Sequence, residues 1–479
     1  MNPPRRPDDE PYTVGRRPRT GSYQVIAQSW RETDRFLPRR VVRPLQQLMS
    51  NEANSAIAVL GATLLAVVVA NSAVAGTYHD FWAAEFTFEV QSRTVLSLST
   101  HQVVNDALMA IFFLLVSMEI KRELVFGDLR DPKAALLPIG AAVGGMIVPA
   151  GIYFMFNAGG AYAHGWGIPM ATDIAFAVAI VTSLGTRVPV GARVFLLTLA
   201  IVDDLGAILV IALFYSSGLA LGWLAVAAAS VGMALLARSY RMRAVPLYVV
   251  LGAVCWFALY RSGVHPTIAG VAFGLMTPAQ PLFGPERFPP VAMELIDGLT
   301  RRNREGVTAE EQELNDFALR ELRRLSRETQ SPLHRAETSL SPVVAFLIVP
   351  VFAFANAGVR VPRGDLGEVF THPVVSGIAI GLVLGKPIGV FCTTWLLATL
   401  GWGRMPAGMS SAHLFGIALC AGIGFTVALF VAGLSFDDPG VTEAAQFGIM
   451  GGSVIAAILG YSWLRLTGRR AAIEARARS

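Results

Sequence analysis

Apolar stretches separated by short polar loops fill most of the chain. They run over about 54–76, 103–121, 134–156, 166–185, 192–216, 220–237, 244–260, 263–277, 339–358, 373–399, 411–434 and 443–466. A helix of about 20 apolar residues crosses the hydrocarbon core of a bilayer. The pattern therefore predicts an all-α polytopic membrane protein with twelve transmembrane helices and both termini on one side. The first 50 or so residues are polar, without the early apolar run that marks a cleaved signal peptide. Four parts are expected: an Arg-rich tail over 1–53, a transmembrane domain over 54–466, a hydrophilic loop inserted at 278–338, and a basic tail over 467–479.

Composition agrees with a chain built for lipid. Apolar residues make up 53% and charged residues only 15%, against about 25% charged in a soluble protein. That excludes a soluble enzyme with a charged surface. Cys255, Cys392 and Cys420 lie far apart in apolar stretches and form no CxxC pair or disulfide framework. The net charge of +5 would suit a nucleic-acid partner, but its distribution points elsewhere. Of the 39 Lys and Arg residues, 34 fall in the two tails and the even-numbered loops or at the segment ends that border them. The odd-numbered loops hold only Arg93, Arg261, Arg360 and Arg363, and Lys386 sits inside a segment. The positive-inside rule then places both termini in the cytoplasm. The basic loops are expected to meet anionic lipid, with no nucleic acid required.

Two hydrophilic regions carry structure of their own. In the inserted loop, Thr308 and Glu311 have capping-box spacing. Leu314, Phe317, Ala318, Leu322 and Leu325 follow at helical spacing, which predicts a peripheral helix lying on the membrane or on the protein. In the first odd-numbered loop, Phe86, Phe88 and Val90 alternate with Thr87, Glu89 and Gln91, the period of a half-buried strand.

The chemistry is expected where charge enters lipid. An ionisable group at the bilayer centre costs on the order of 2.5–3.5 kcal/mol. Asp203 and Asp204 interrupt the apolar fifth segment, side by side. Two carboxylates in a low-dielectric site do not both ionise cheaply, so the pair should exchange a proton for a cation. In the fourth segment, Gly165, Gly167 and Pro169 lead into Thr172 and Asp173 near mid-span, and the eleventh has Gly422 and Gly424 at mid-span. Both features predict interrupted helices, the sequence mark of a secondary transporter's site. Segments 3–5 and 10–12 then form inverted-topology repeats. Asp173 is placed to neutralise the positive ends of the half-helices and Lys386 the negative ends. Further candidates are Asp106, the helix-end group Glu119, Lys121, Arg122 and Glu123, and His265 beside a helix start, which reads as a structural residue or a pH sensor.

The motifs NDALMAIFFLLVSMEIKREL (105–124), GGMIVPA (144–150), ATDIAFA (171–177), AIVDDLGAI (200–208), FAFANAGV (352–359), GKPIG (385–389), GIGFT (422–426) and GYSWLR (460–465) resemble, in order and at matching depth, those of the NhaA family of bacterial sodium/proton antiporters. The similarity runs from about Asn51 to Leu466. It implies a transporter of the bacterial inner membrane, not an enzyme, that exchanges sodium or lithium for protons and holds no cofactor. It further implies Asp204 as principal ion ligand and proton carrier, with Asp203 either a second sodium ligand or the partner of Lys386. Thr172 and Asp173 would line the site and balance charge, and Lys386 would favour two protons per sodium ion. A pH-sensing cluster would comprise Glu119, Arg122, Glu123 and Glu337, and the strand-forming loop at about 84–98 would form a homodimer. The long tail and the 278–338 loop depart from that family, and Thr338 and Ser341 stand where it has histidines. Rival classes fit less well. A symporter for an organic anion needs more hydroxyls and amides than segments four, five and eleven offer. An intramembrane aspartyl protease needs acids from separate helices, and a scaffold leaves the buried charges unexplained.

Overall fold

The computed structural model describes residues 14–16, 23–25, 52–90, 93–216, 218–242, 244–281, 283, 284, 286, 288–302, 309–360 and 366–478. The chain divides into two units, Met1–Asn54 and Ser55–Ser479. In the first, strands β1 (Val14–Arg16) and β2 (Tyr23–Val25) pair antiparallel with Val14 opposite Val25. The remainder of the expected Arg-rich tail, up to residue 51, lies outside the described residues, as does Thr308 of the expected capping box.

The second unit is a bundle of apolar helices. Helix α1 (Glu52–Ala70) turns by 112° into α2 (Ala75–Ala83), and β3 (Glu85–Val90) and β4 (Arg93–Ser99) follow as a hairpin. Then come α3 (Thr100–Phe126), α4 (Pro132–Asn157), a 3₁₀ segment (Ala163–Met170), α5 (Ile174–Ser183), α6 (Val190–Phe214), α7 (Leu221–Ser239) and α8 (Val245–Ser262). A short helix α9 (Ile268–Met276) precedes the peripheral helices α10 (Phe288–Arg302) and α11 (Ala309–Thr329). The chain ends with α12 (Pro332–Asn356), α13 (Leu366–Thr371), α14 (Pro373–Thr399), α15 (Ser411–Ala421), α16 (Phe425–Ser435) and α17 (Pro439–Arg478). Side chains such as Ile57, Ile147, Leu209 and Val249 point outward and are exposed, as lipid-facing residues are.

Among the described residues, nine helices are long and apolar enough to cross a membrane, or eleven if each of two bent pairs counts as one span. This is an all-α polytopic membrane protein. The expected eighth segment, 263–277, contains only nine helical residues in α9. Those reach about 14 Å, half of a hydrocarbon core of about 30 Å. Pro266 and Pro278 flank it and limit its length. The expected loop 278–338 also ends early. Ser331 caps α12, accepting from the His334 amide at 3.1 Å, so the helix carries its polar first turns, Glu337 included, into the apolar span.

On α11, Ala318 and Leu325 are buried while Leu314 and Phe317 stay exposed. In the hairpin, Glu85 pairs with Ser99 and a register shift falls between Phe88 and Glu89. Tyr260 of α8 ties the hairpin down by donating to the Ser97 carbonyl at 2.8 Å.

Helices α4 and α14 pack through glycine. Gly377, Gly381, Gly385 and Gly389 recur every fourth residue along one face of α14. A Cβ on Gly385 would meet Pro149 Cα at 2.8 Å, and one on Gly389 would meet the Gly144 carbonyl oxygen at 2.1 Å. Small residues thus let two backbones touch where no hydrophobic force drives helices together in lipid. This seam positions the residue between its last two glycines, Lys386. Gly389→Ala is expected to destabilise the purified protein by on the order of 1–3 kcal/mol, read as a lower thermal midpoint in detergent. Gly151→Ala, on the same α4 with nothing within 4 Å of its Cβ, should leave the midpoint unchanged, and equal behaviour of the two would refute the seam.

Candidate functional site

Two helices break at the same place and cross there. After the 3₁₀ segment ends at Met170, Ala171 and Asp173 are extended, and Asp173 caps α5. Opposite, α15 ends at Ala421 and α16 begins at Phe425 after a 44° bend across Gly422-Ile423-Gly424. Both glycines have ordinary φ values, −70° and −91°. Close approach is what excludes a side chain. A Cβ on Gly422 would lie 2.4 Å from the Leu382 carbonyl oxygen, and one on Gly424 3.0 Å from that of Ala171. The Asp173 amide donates to the Ile423 carbonyl at 2.6 Å, which joins the two breaks.

A broken helix leaves free amides at one new end and free carbonyls at the other. Asp173 serves both sets of amides. Its Oδ1 accepts from the Phe176 amide at 3.2 Å, at the start of α5. Its Oδ2 accepts from the Thr426 amide at 3.0 Å and the Thr426 hydroxyl at 2.6 Å, at the start of α16. One carboxylate thus faces two positive helix ends. The carbonyl ends are divided between two groups. Lys386 Nζ donates to the Met170 carbonyl, at the end of the 3₁₀ segment. The Thr172 hydroxyl donates to the Ala421 carbonyl at 2.8 Å. Lys386 was expected to serve the negative ends generally; it serves one, and a neutral hydroxyl satisfies the other.

The aspartate pair occupies α6 beside this crossing. Lys386 Nζ lies 2.7 Å from both Oδ1 and Oδ2 of Asp203. The lysine is 0% exposed and Asp203 1%. The widened turn Gly381–Gly385, which ends with the Lys386 amide donating five residues back to Gly381, sets the angle at which the lysine leaves α14. Asp204 is also buried, at 4%, but its neighbour's lysine does not reach it. Adjacent helical residues point about 100° apart. Asp204 Oδ1 has no hydrogen-bond partner among the described residues, although a buried carboxylate without partners is costly. Of the two, Asp203 is neutralised by an ion pair and Asp204 retains an unused oxygen.

Other expected residues separate into two groups away from the crossing. Arg122 contacts Glu337 Oε1 and lies 3.9 Å from Glu123, with Glu119 one turn earlier on α3. Glu337 Oε2 is buried and without a partner among the described residues. His265 belongs elsewhere: its Nδ1 lies 2.7 Å from Thr267 Oγ1, its Nε2 3.5 Å from Asp106 Oδ1, and its ring packs edge-on against Phe430 at 5.2 Å. Thr426 also belongs to the crossing, although the sequence names it only within the GIGFT motif. A hydroxyl two residues after the second glycine of GIGFT is the available signal, since it falls in the first turn of the restarted helix.

Residues 46–464 match the sequence profile of a family described as Na+/H+ antiporter 1. The chain is 44% identical over 430 residues to a Na(+)/H(+) antiporter NhaA of Rhodopirellula baltica, covering 89% of this chain and 95% of the relative. It is 42% identical over 427 residues to the protein of that name from Oleidesulfovibrio alaskensis, covering 89% and 94%. With the relative from Anaeromyxobacter sp. the values are 44% over 432 residues, 90% and 92%.

The buried ion pair sets a stability test. Removing one partner of such a pair strands a charge and costs on the order of 3–5 kcal/mol. Lys386→Ala should therefore lower the thermal midpoint of the purified protein markedly. Adding Asp203→Asn removes the stranded charge and should recover most of the loss; a double variant no better than Lys386→Ala would contradict the pairing.

Proposed function

The chain belongs to the Na+/H+ antiporter 1 family, and from that premise we propose that it extrudes sodium in exchange for protons through one site at Asp203 and Asp204. The observation that supports this most directly is the unequal state of the two carboxylates. Asp203 is held by Lys386, whereas Asp204 Oδ1 is buried and without a hydrogen-bond partner among the described residues. Asp204 is then the first group to take either a proton or the cation, which compete for the same oxygens.

The lysine sets the count. In the proton-loaded form Asp204 holds a proton and Lys386 is charged against Asp203. When sodium enters, Asp203 turns from the lysine to the ion, and both Asp204 and Lys386 release a proton. Two protons leave for one sodium ion, so one net charge crosses per cycle, worth about 2.3 kcal/mol per 100 mV. The membrane potential thereby drives sodium outward. High cytoplasmic pH empties the carboxylates and admits sodium, and low pH shuts exchange down. Lithium, with the same charge, is accepted at the same oxygens.

The surroundings have roles in this reading. The spans number twelve, with α9 contributing a short crossing, and both termini face the cytoplasm of a bacterial inner membrane. Segments 3–5 and 10–12 are inverted repeats, each broken in its central helix, and their rocking exposes the site to either side. Thr172 and Asp173 keep the broken ends satisfied as they move, and the close approach at Gly422 and Gly424 preserves the crossing. Glu119, Arg122, Glu123 and Glu337 tune the pH response from the cytoplasmic face, with His265 a further candidate. The hairpin β3–β4, on which Phe86 is 63% exposed, pairs two copies of the chain. Anionic lipid meets the cytoplasmic basic loops, and no enzymatic step or resident cofactor is needed.

Everted vesicles containing the protein should show a sodium-dependent change in ΔpH when assayed between about pH 6.5 and 9, because sodium and protons compete for the same carboxylates. Asp204→Asn should abolish it, and retained exchange in that variant would overturn the site. In proteoliposomes, Lys386→Ala should reduce the dependence of exchange on membrane potential, and an unaltered dependence would remove the lysine from the charge count.

A further inference from the structure

The far end of the 3₁₀ segment is also held by side chains of neighbouring helices. Tyr215, which closes α6, donates its phenol to the His164 carbonyl at 2.8 Å. Its ring lies 4.8 Å from the His164 imidazole, and Phe214 packs edge-on against Trp166 at 5.2 Å. From the other side, Tyr153 of α4 donates to the Tyr162 carbonyl at 2.8 Å. Glycines make room for both phenols: a Cβ on Gly165 would lie 2.5 Å from the Tyr153 oxygen, and one on Gly167 2.7 Å from the Tyr215 oxygen. Ser435, at the end of α16, approaches the Tyr215 oxygen at 3.4 Å but donates its proton to Val431 at 2.7 Å. The phenol of Tyr215 is therefore anchored chiefly to the 3₁₀ segment.

These contacts close a ring. Asp203 holds Lys386, Lys386 holds the Met170 carbonyl, the 3₁₀ segment runs back to His164, and His164 is fixed to Tyr215. Tyr215 is on the same helix as the aspartates, eleven residues beyond Asp204 and about 16 Å along the axis. The height of the Met170 carbonyl relative to Asp203 is thus set from both ends.

We infer that Tyr215 is a positioning residue for the ion site: through the 3₁₀ segment it fixes where Lys386 stands between Met170 and Asp203, and so how readily Asp203 is released to the cation. This rests on the proposed sodium/proton exchange. Without the phenolic hydroxyl the segment loses one of its anchors, the Met170 carbonyl drifts from Lys386, and the ammonium is left to Asp203 alone. The cation then competes less well, while the steps that carry the loaded site across the membrane are unchanged.

In everted vesicles, Tyr215→Phe should raise the apparent KM for sodium about threefold to tenfold, the effect of one hydrogen bond, with the maximal rate kept within about twofold. A variant that lowers the rate at unchanged KM would be merely structural and would overturn the inference. Gly167→Ala should also raise KM, by pushing on the phenol oxygen. In the Tyr215→Phe background it should add less, because the nearest remaining ring atoms are 3.4 Å away; full additivity would overturn the steric link. Deuterium uptake of the purified protein supplies a readout independent of transport. Peptides over 163–173 should exchange faster in Tyr215→Phe, and identical uptake would sink the clamp even if the wild type exchanged sodium normally. Wild-type vesicles without exchange would sink the antiporter reading instead, with the deuterium comparison still deciding the clamp.

Discussion

A fully buried lysine ammonium lies within 2.7 Å of a buried carboxylate, and its third contact is a backbone carbonyl. Away from water, neither charge is tolerable alone. Each must keep the other as partner, and that demand reaches into the elements that carry them. The lysine is on α14, the aspartate on α6, and the carbonyl belongs to the 3₁₀ segment ahead of the crossing. Three elements are tied at one point. Because this tie is electrostatic, changing the charge of any member loosens it, unlike a tie made by packing alone.

The crossing follows the same logic at lower charge density. Breaking two helices inside an apolar bundle exposes backbone groups that lipid does not satisfy. Asp173 answers the amides of both restarted helices with one carboxylate, and Thr172 and Lys386 answer the carbonyls. The neighbouring glycines are consequences of distance. At Gly422 and Gly389 a methyl group would collide with main chain, which does not yield as a flexible side chain does. Close approach is thus a condition for the hydrogen bonds that make the breaks affordable in lipid.

Much of this was legible in the residues because lipid punishes polar groups so heavily. Asp173, Asp203, Asp204 and Lys386 stood out as charges in apolar segments, and each is buried at the crossing or beside it. Hydropathy located the spans within a few residues but erred where polarity and helix formation part company. Helix α12 begins at Pro332 because a serine cap and a proline start it, although its first turns are polar. Helix α9 stops at nine residues because flanking prolines bound it, although the apolar run is longer. Thr426 and Tyr215 do not stand out, since neither carries a charge nor adjoins one in the sequence, as Thr172 adjoins Asp173. Their importance depends on which carbonyl or carboxylate lies opposite, a fact of tertiary geometry.

Asp203 and Asp204 are chemically identical and adjacent, so nothing in their local sequence assigns them different work. The helix does so by turning about 100° between them. One carboxylate is rotated into the lysine and the carbonyl end beyond it, while the other keeps a buried oxygen without a hydrogen bond among the described residues. A single aspartate would have to serve both as counter-ion and as exchange site, and loading it would strand the lysine. In the proposed exchange, two on one helix separate those duties while sharing one axis, so movement of Asp203 would be passed to Asp204 through the helix itself. The same axis ends in Tyr215, whose hydrogen bond returns to the 3₁₀ segment. In the proposed exchange, a cation that draws Asp203 away from Lys386 would work against a closed circuit of contacts, which would couple occupancy of a small site to the position of whole helices.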